Sequence, residues 1–304
     1  MSGEYILQVQ NLKKHFGQVK AVDGISFSVA KGQIYGFLGP NGSGKTTTIS
    51  MMLSLIHPTA GMVNLFGRQV SPSRPEPLQK VGALVGSPSL VPYLTARQNL
   101  ELIARLYPEL TESRIVDILG IVGLSKDGDR KAGTFSTGMK QRLGLGMALL
   151  HKPDLLILDE PTNGMDPSGM HEVRNLIVNL ADDGVTIFIS SHLLYEVEQI
   201  CDRVAVIKNG RLIAEGKVSD LVGQESAVRV RVNSPRHAAQ LLVEIPGCRN
   251  IRANGDYVTL TGVSSQAVVA HLASNGVVPS EVSNGHQDLE SIFLELTNQE
   301  QLEV

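Results

Sequence analysis

The sequence predicts an α/β fold: a buried, mostly parallel sheet with flanking helices, an antiparallel β layer, a helical insertion and a small C-terminal α+β domain. Three observations carry this. The short apolar run Ile34–Leu38 enters a glycine-rich turn, then a helical pattern with Ile49, Met52, Leu53 and Ile56 at i, i+3, i+4 and i+7. Two further runs, Leu155–Leu158 and Val185–Ile189, are apolar throughout, as strands covered on both faces must be. After Lys217 both charge and pattern change.

Each element follows in order. Tyr5, Leu7 and Val9 alternate, and Val19–Val29 is rich in β-branched residues, so both stretches read as strands. Pro58 is expected to stop the first helix. Residues from about 88 to 150 are mostly helical by pattern and read as an insertion between two strands. Beyond the boundary the pattern gives strand (Ala227–Val232), helix (Pro235–Val243), strands (Cys248–Arg252 and Tyr257–Thr261), helix (Ser265–Ser274), strand (Val277–Val282) and a closing helix (Asp288–Thr297). Two βαβ-like halves of this length resemble a ferredoxin-like unit. The expected domains are therefore 1–217 and 218–304.

Composition bounds the function. A chain of 304 residues, 42% hydrophobic and 19% charged, can bury a full core and is not disordered by composition. Mean hydropathy is +0.04. The longest apolar candidate, Leu143–Leu158, is interrupted by His151, Lys152, Pro153 and Asp154, so it falls short of a membrane span. The opening Met-Ser-Gly-Glu is no signal peptide, and Cys201 and Cys248 form no CxxC pair. A cytoplasmic protein with two structural thiols is expected. Net charge −3 argues against a nucleic-acid surface. Residues 218–304 hold ten acids, five arginines and no lysine, and so are more acidic than the rest.

The chemistry concentrates in a few motifs. Gly39-Pro40-Asn41-Gly42-Ser43-Gly44-Lys45-Thr46, followed by Thr47, fits G-x-x-x-x-G-K-[ST]. The glycines let backbone N–H groups turn inward around phosphates, Lys45 supplies a point charge, and Thr46 offers a hydroxyl to Mg²⁺. Leu155–Leu158 then delivers Asp159 and Glu160 at a strand end. Asp159 is placed to hold Mg²⁺, and Glu160 to polarise an attacking water. Pro161-Thr-Asn-Gly-Met-Asp166 follows directly.

With these motifs in order, the sequence resembles the ATP-binding-cassette (ABC) ATPases over roughly residues 5–217. Phe135-Ser136-Thr137-Gly138-Met139 stands where that family has Leu-Ser-Gly-Gly-Gln; Ser136 and Gly138 are retained. The resemblance implies that these two touch the γ-phosphate of ATP held by a second copy. It also implies a switch role for His192, adenine stacking by Phe16, and a dimer-crossing loop at Asp166. ATP and Mg²⁺ are the implied ligands. A homodimer that sandwiches ATP and an integral membrane permease are the implied partners, with the chain peripheral on the inner membrane face. Ser136–Met139 and Tyr93–Leu100 are similar to drug- and peptide-antibiotic exporters. The alternatives are a cassette acting on ribosomes or DNA, where the family usually carries two cassettes per chain, and an import ATPase. One family feature is missing: Gly86 or Ser87 stands where a glutamine is usual. In the family the following stretch, with Leu90, Val91, Tyr93 and Leu94, receives the membrane subunit.

Overall fold

In the computed structural model, residues 4–222 and 227–285 are described. They fall into two compact units that divide between Gly216 and Lys217.

The first unit opens with the long strands β1 (Tyr5–Phe16) and β2 (Val19–Ala30), paired antiparallel from Tyr5↔Ala30 to Phe16↔Val19. Gly17, at φ +57°, turns the hairpin tip. The strand β3 (Ile34–Leu38), buried at every residue, leads through the glycine loop into α1 (Lys45–Met52). That helix ends well before Pro58, contrary to the pattern containing Ile56. Ser54 adopts φ +57°, and Leu55 N–H bonds Ser50 C=O, a left-handed closure that satisfies the helix's last carbonyls before proline is reached. β4 (Ala60–Leu65) and β5 (Arg68–Gln69) complete an antiparallel sheet of order β2-β1-β4-β5.

β6 (Val81–Leu84) precedes the helical region, α2 (Ala96–Ala104), α3 (Glu112–Ile121) and α4 (Thr137–Leu149). Thr95 and Gln98 form a reciprocal capping box at α2. The buried Asn99 amide ties down the preceding loop: its Oδ1 accepts from Val91 N–H at 2.8 Å, and its Nδ2 donates to the carbonyls of Val91, Leu94 and Thr95. α4 lies close against that region, because a Cβ on Gly144 would meet Pro88 at 2.8 Å and one on Gly82 would meet the Ala148 carbonyl at 2.2 Å. His151, past the end of α4, stacks on Tyr107 and reaches the Val81 carbonyl; burial lowers its pKa and favours the neutral ring.

The chain then alternates through β7 (Leu155–Asp159), α5 (Pro167–Asp182), β8 (Thr186–Ser191), α6 (Leu194–Ile200), β9 (Arg203–Lys208) and β10 (Arg211–Lys217). The second sheet runs β10-β9-β3-β8-β7-β6, and β9, β3, β8, β7 and β6 are mutually parallel. The two sheets share a core. Phe27 of β2 packs on Tyr35 and Phe37 of β3 and on Phe188 of β8, with ring centroids 5.6, 5.5 and 5.8 Å away. Parallel pairing brings the C-terminal ends of β3, β7 and β8 to one edge, Leu38 beside Ser191 and Asp159 beside Ser190. Ligands of open α/β sheets bind at that edge.

The second unit begins with the short α7 (Val218–Leu221) and continues as β11 (Ala227–Arg231), α8 (Pro235–Leu242), β12 (Arg249–Asn254), β13 (Tyr257–Thr261), α9 (Ser265–Ser274) and β14 (Glu281–Gly285). Its antiparallel sheet has the order β12-β13-β11-β14, the ferredoxin-like arrangement. Val228, Val230, Ala238, Leu242, Val258, Leu260, Val268 and Leu272 form a separate core. The last strand is displaced from the expected Val277–Val282. Val277 packs against this core while Val278 is 80% exposed, and pairing with β11 starts only at Glu281. The expected helix Asp288–Thr297 lies outside the described residues.

Candidate active site

The phosphate-loop geometry is dictated by backbone. Gly42 and Gly44 take φ +81° and +109°, conformations in which a side chain is strained. A Cβ on Gly39 would lie 2.2 Å from the Ile207 carbonyl, and one on Gly44 2.5 Å from that of Ala21. These positions must be glycine for the loop to close on its neighbours. Pro40, Asn41 and Gly42 form its exposed lip, while Ser43 and Lys45 are buried and Thr47 is half-buried. α1 starts without a side-chain cap, so its leading N–H groups remain available to an anion.

Lys45 is held from three sides. Its Nζ donates to the carbonyls of Gly39 at 2.7 Å and Pro40 at 3.3 Å, and lies 3.2 Å from Glu160 Oε1. Thr46 Oγ1 donates to Asp159 Oδ2 at 2.8 Å, and Ser190 Oγ donates to Asp159 Oδ1 at 2.6 Å. Ser190 also accepts from Glu160 N–H, at 3.1 Å. Glu160 itself has φ +50°, a costly conformation for a residue with a side chain. Its Oε2 meets His192 Nδ1 at 3.1 Å and the Asn163 amide at 3.4 Å. The structure thus brings Lys45, Thr46, Asp159, Glu160 and His192 into one cluster. Ser190 and Asn163 belong to it too, although the sequence did not single them out; their only signal is a serine at the end of an otherwise apolar strand and an amide three residues after the acid.

Ser136, Gly138 and Asp166 make their contacts elsewhere. Ser136 Oγ caps α4 by accepting from Met139 N–H at 3.3 Å, and Gly138 leaves only 3.1 Å between a would-be Cβ and Met165. Asp166 caps α5 through Gly169 N–H at 3.2 Å. Phe16 is 52% exposed near the hairpin tip, with Lys14 Nζ 5.0 Å from its ring centroid. Gly86, one of the two residues standing where the resembled family usually has a glutamine, takes φ +64°, a conformation that favours glycine. Tyr93 is 72% exposed, whereas Leu90, Val91 and Leu94 are half-buried.

Neither thiol is activated by its environment. Burial pushes the Cys201 thiol well up and raises that of Cys248, so neither is poised as a thiolate nucleophile.

The residues present also suit their expected ligands. The Ser43 hydroxyl is buried in the loop with no protein partner, and the adjoining glycines leave a cradle that a Cβ would fill. Among the described residues no three His, Cys, Asp or Glu gather into a metal cage. Two hard oxygens side by side, Thr46 Oγ1 and Asp159 Oδ2, fit instead a magnesium ion that takes few protein ligands and completes its shell with phosphate and water.

A buried strand, an inward-turned glycine loop, a capless helix and an acid pair on a parallel neighbour define a P-loop nucleoside-triphosphatase. Comparison with known proteins narrows this. The profile of the ABC transporter family matches residues 22–163. The chain is 48% identical over 211 residues to a bacitracin transport ATP-binding protein of Bacillus licheniformis, covering 69% of each chain. It is 36% identical over 297 residues to the Enterococcus faecalis protein of the same name, covering 96% of each. A linearmycin resistance ATP-binding protein of Bacillus subtilis (strain 168) is 35% identical over 311 residues, covering 96% of this chain and 98% of the relative. A crystal structure of a nucleotide-free ABC transporter cassette superposes with a TM-score of 0.65 at 30% identity, covering 71% of this chain and 92% of the other. An ADP-bound cassette gives 0.64 at 31% identity, covering 70% and 91%. The chain belongs to the ATP-binding proteins of the ABC transporter family. It is an ATP-binding, ATP-hydrolysing cassette, and no helix among the described residues is long and apolar enough to cross a membrane.

Proposed function

We propose that this chain powers an exporter by hydrolysing ATP in a site shared between two copies. The observation that carries the reading is Glu160. Its two carboxylate oxygens are held apart by opposite partners, Lys45 at 3.2 Å and His192 at 3.1 Å. A carboxylate fixed this way can polarise a water on the side where Lys45 reads the terminal phosphate. Thr46 and Asp159 would hold Mg²⁺, which supplies charge neutralisation on the phosphates when bound. Phe16 would stack on adenine, and residues 39–47 would wrap the phosphates. His192 orients Glu160 and the γ-phosphate.

The second copy would contribute Ser136, Gly138 and Asp166 to the opposite ATP, so that bound nucleotide joins the two chains. A membrane permease would complete the transporter, with the cassette (1–217) on the cytoplasmic face and 218–304 an accessory domain. The exposed Tyr93 beside half-buried Leu90, Val91 and Leu94 suits that partner. The relative named for linearmycin resistance supports export rather than import. Glu160→Gln tests the core of the reading: ATP binding persists while turnover falls at least about 100-fold, as for loss of a general base. Near-normal turnover in this variant would falsify it. Copurification with ribosomes in place of an integral membrane protein would overturn the transport role.

A further inference from the structure

Outside the catalytic cluster, the turn between β9 and β10 is hydrogen-bonded to the phosphate loop. Asn209 and Gly210 take φ +49° and +76°, both left-handed, as a tight two-residue hairpin turn requires. Gly210 is wedged between two elements. Its N–H donates to the Ser43 carbonyl at 3.0 Å, and its carbonyl accepts from Asp23 N–H at 2.8 Å. A Cβ there would meet the Ala21 carbonyl at 2.9 Å. The adjacent Arg211 then grips Asp23 directly, with Nη2 at 2.8 Å and Nε at 3.2 Å from Oδ2. That guanidinium holds the Asp23 carboxyl below its usual range, so the pair stays charged at neutral pH.

Two consequences follow from this placement. A trans peptide points its C=O and N–H in opposite directions. With the Ser43 carbonyl bonded to Gly210, the Gly44 N–H of the same peptide faces away from the turn. Meanwhile Asp23 sits on β2 opposite Lys13 of β1, in the hairpin whose tip carries Phe16. His15 Nε2, next to Phe16 in sequence, is 3.9 Å from Asp23 Oδ1. The turn therefore touches the phosphate loop on one side and the Phe16 hairpin on the other.

We propose that the Asn209–Gly210 turn, latched by Arg211 to Asp23, is a brace that sets ATP affinity by holding the Phe16 hairpin in register with the phosphate loop. Arg211 and Asp23 are positioning residues: they act on the nucleotide only through Ser43 and the hairpin. The inference rests on the proposed binding roles of Phe16 and residues 39–47.

Steady-state ATPase assays of Arg211→Gln and Asp23→Asn test it, alongside Arg211→Lys, Phe16→Ala and Glu160→Gln. Each break of the latch raises KM for ATP about 5-fold, the size expected for a partly exposed, charge-assisted pair, while kcat stays within about 2-fold. Arg211→Lys, which keeps the charge, recovers most of the affinity. Circular dichroism melts check that the variants fold, and a fluorescent ATP analogue reads binding without turnover. The brace is overturned if both single variants keep wild-type KM, if kcat falls while KM stays fixed, or if Arg211→Lys is as impaired as Arg211→Gln. Failure of the underlying reading looks different: Phe16→Ala would leave KM unchanged, or Glu160→Gln would leave kcat unchanged.

Discussion

The N-termini of α1 and α4 begin at the same kind of place, after a loop rich in small residues, yet they end up in opposite conditions. At α1 no side chain caps the helix, and Lys45, Asp159, Glu160 and His192 converge in front of it. At α4 the exposed Ser136 turns back and caps its own helix, and Asp166 does the same for α5. One helix end is left open for a ligand; the other two are closed by their own chain. If Ser136 serves a phosphate held by a second copy, its O–H can donate to that phosphate while its oxygen still accepts from Met139 N–H, so the cap and the contact share one hydroxyl.

Three substitutions probe the contrast. The largest effect is expected for Ser136→Arg, which places a long cation where the partner's nucleotide would sit. Its ATPase rate drops at least about 100-fold, the scale of losing a transition-state donor. Light scattering finds monomer, and binding of an ATP analogue to that monomer persists. Loss of monomer binding would move Ser136 into its own chain's site and remove the contrast. Ser190→Ala comes next. It leaves the buried Asp159 carboxylate short of a 2.6 Å hydrogen bond, and kcat falls roughly 10-fold, in line with about 1–3 kcal/mol for an unsatisfied buried acceptor. A Ser190→Ala enzyme with normal kcat would show that Asp159 does not depend on the helix-free side of the cluster. Asp166→Ala is the mildest for folding: losing the α5 cap lowers unfolding free energy by about 1 kcal/mol, read by denaturant titration. Unchanged nucleotide-dependent dimerisation in that variant would reduce Asp166 to a cap alone.

The contrast also explains what was legible in sequence. The phosphate loop could be read because its glycines answer to backbone constraints that no other residue meets at Gly44, and because strand, loop and helix came in the required order. Asp159 and Glu160 were legible from the apolar run that delivers them. Ser190 was not, since a serine ending a buried strand looks the same whether it faces water or a carboxylate. Its role depends on the register Asp159↔Ser190, which only the parallel pairing of β7 and β8 creates. Asn163 needed the turn after Glu160 to fold back. Ser136 and Asp166 were read through the family resemblance as phosphate and interface groups, but either residue type before a helix is equally a cap, and within one chain both oxygens make those capping bonds. The early end of α1 escaped because its stop is Ser54 in a left-handed conformation rather than the visible Pro58. In the second unit, element order was readable from alternating pattern, while the start of β14 was fixed by pairing with β11.

The Asn99 amide has a consequence for the proposed docking of a membrane partner at Tyr93. Four hydrogen bonds from one buried side chain already freeze the loop from Val91 to Thr95. Ordering such a loop costs roughly 1–2 kcal/mol per residue in backbone entropy. Here that ordering is complete before any partner arrives. A protein that settles over Tyr93 meets a surface already in shape, so more of the contact energy appears as affinity. Disturbing Asn99 would therefore weaken the encounter without removing a single atom from the contact itself.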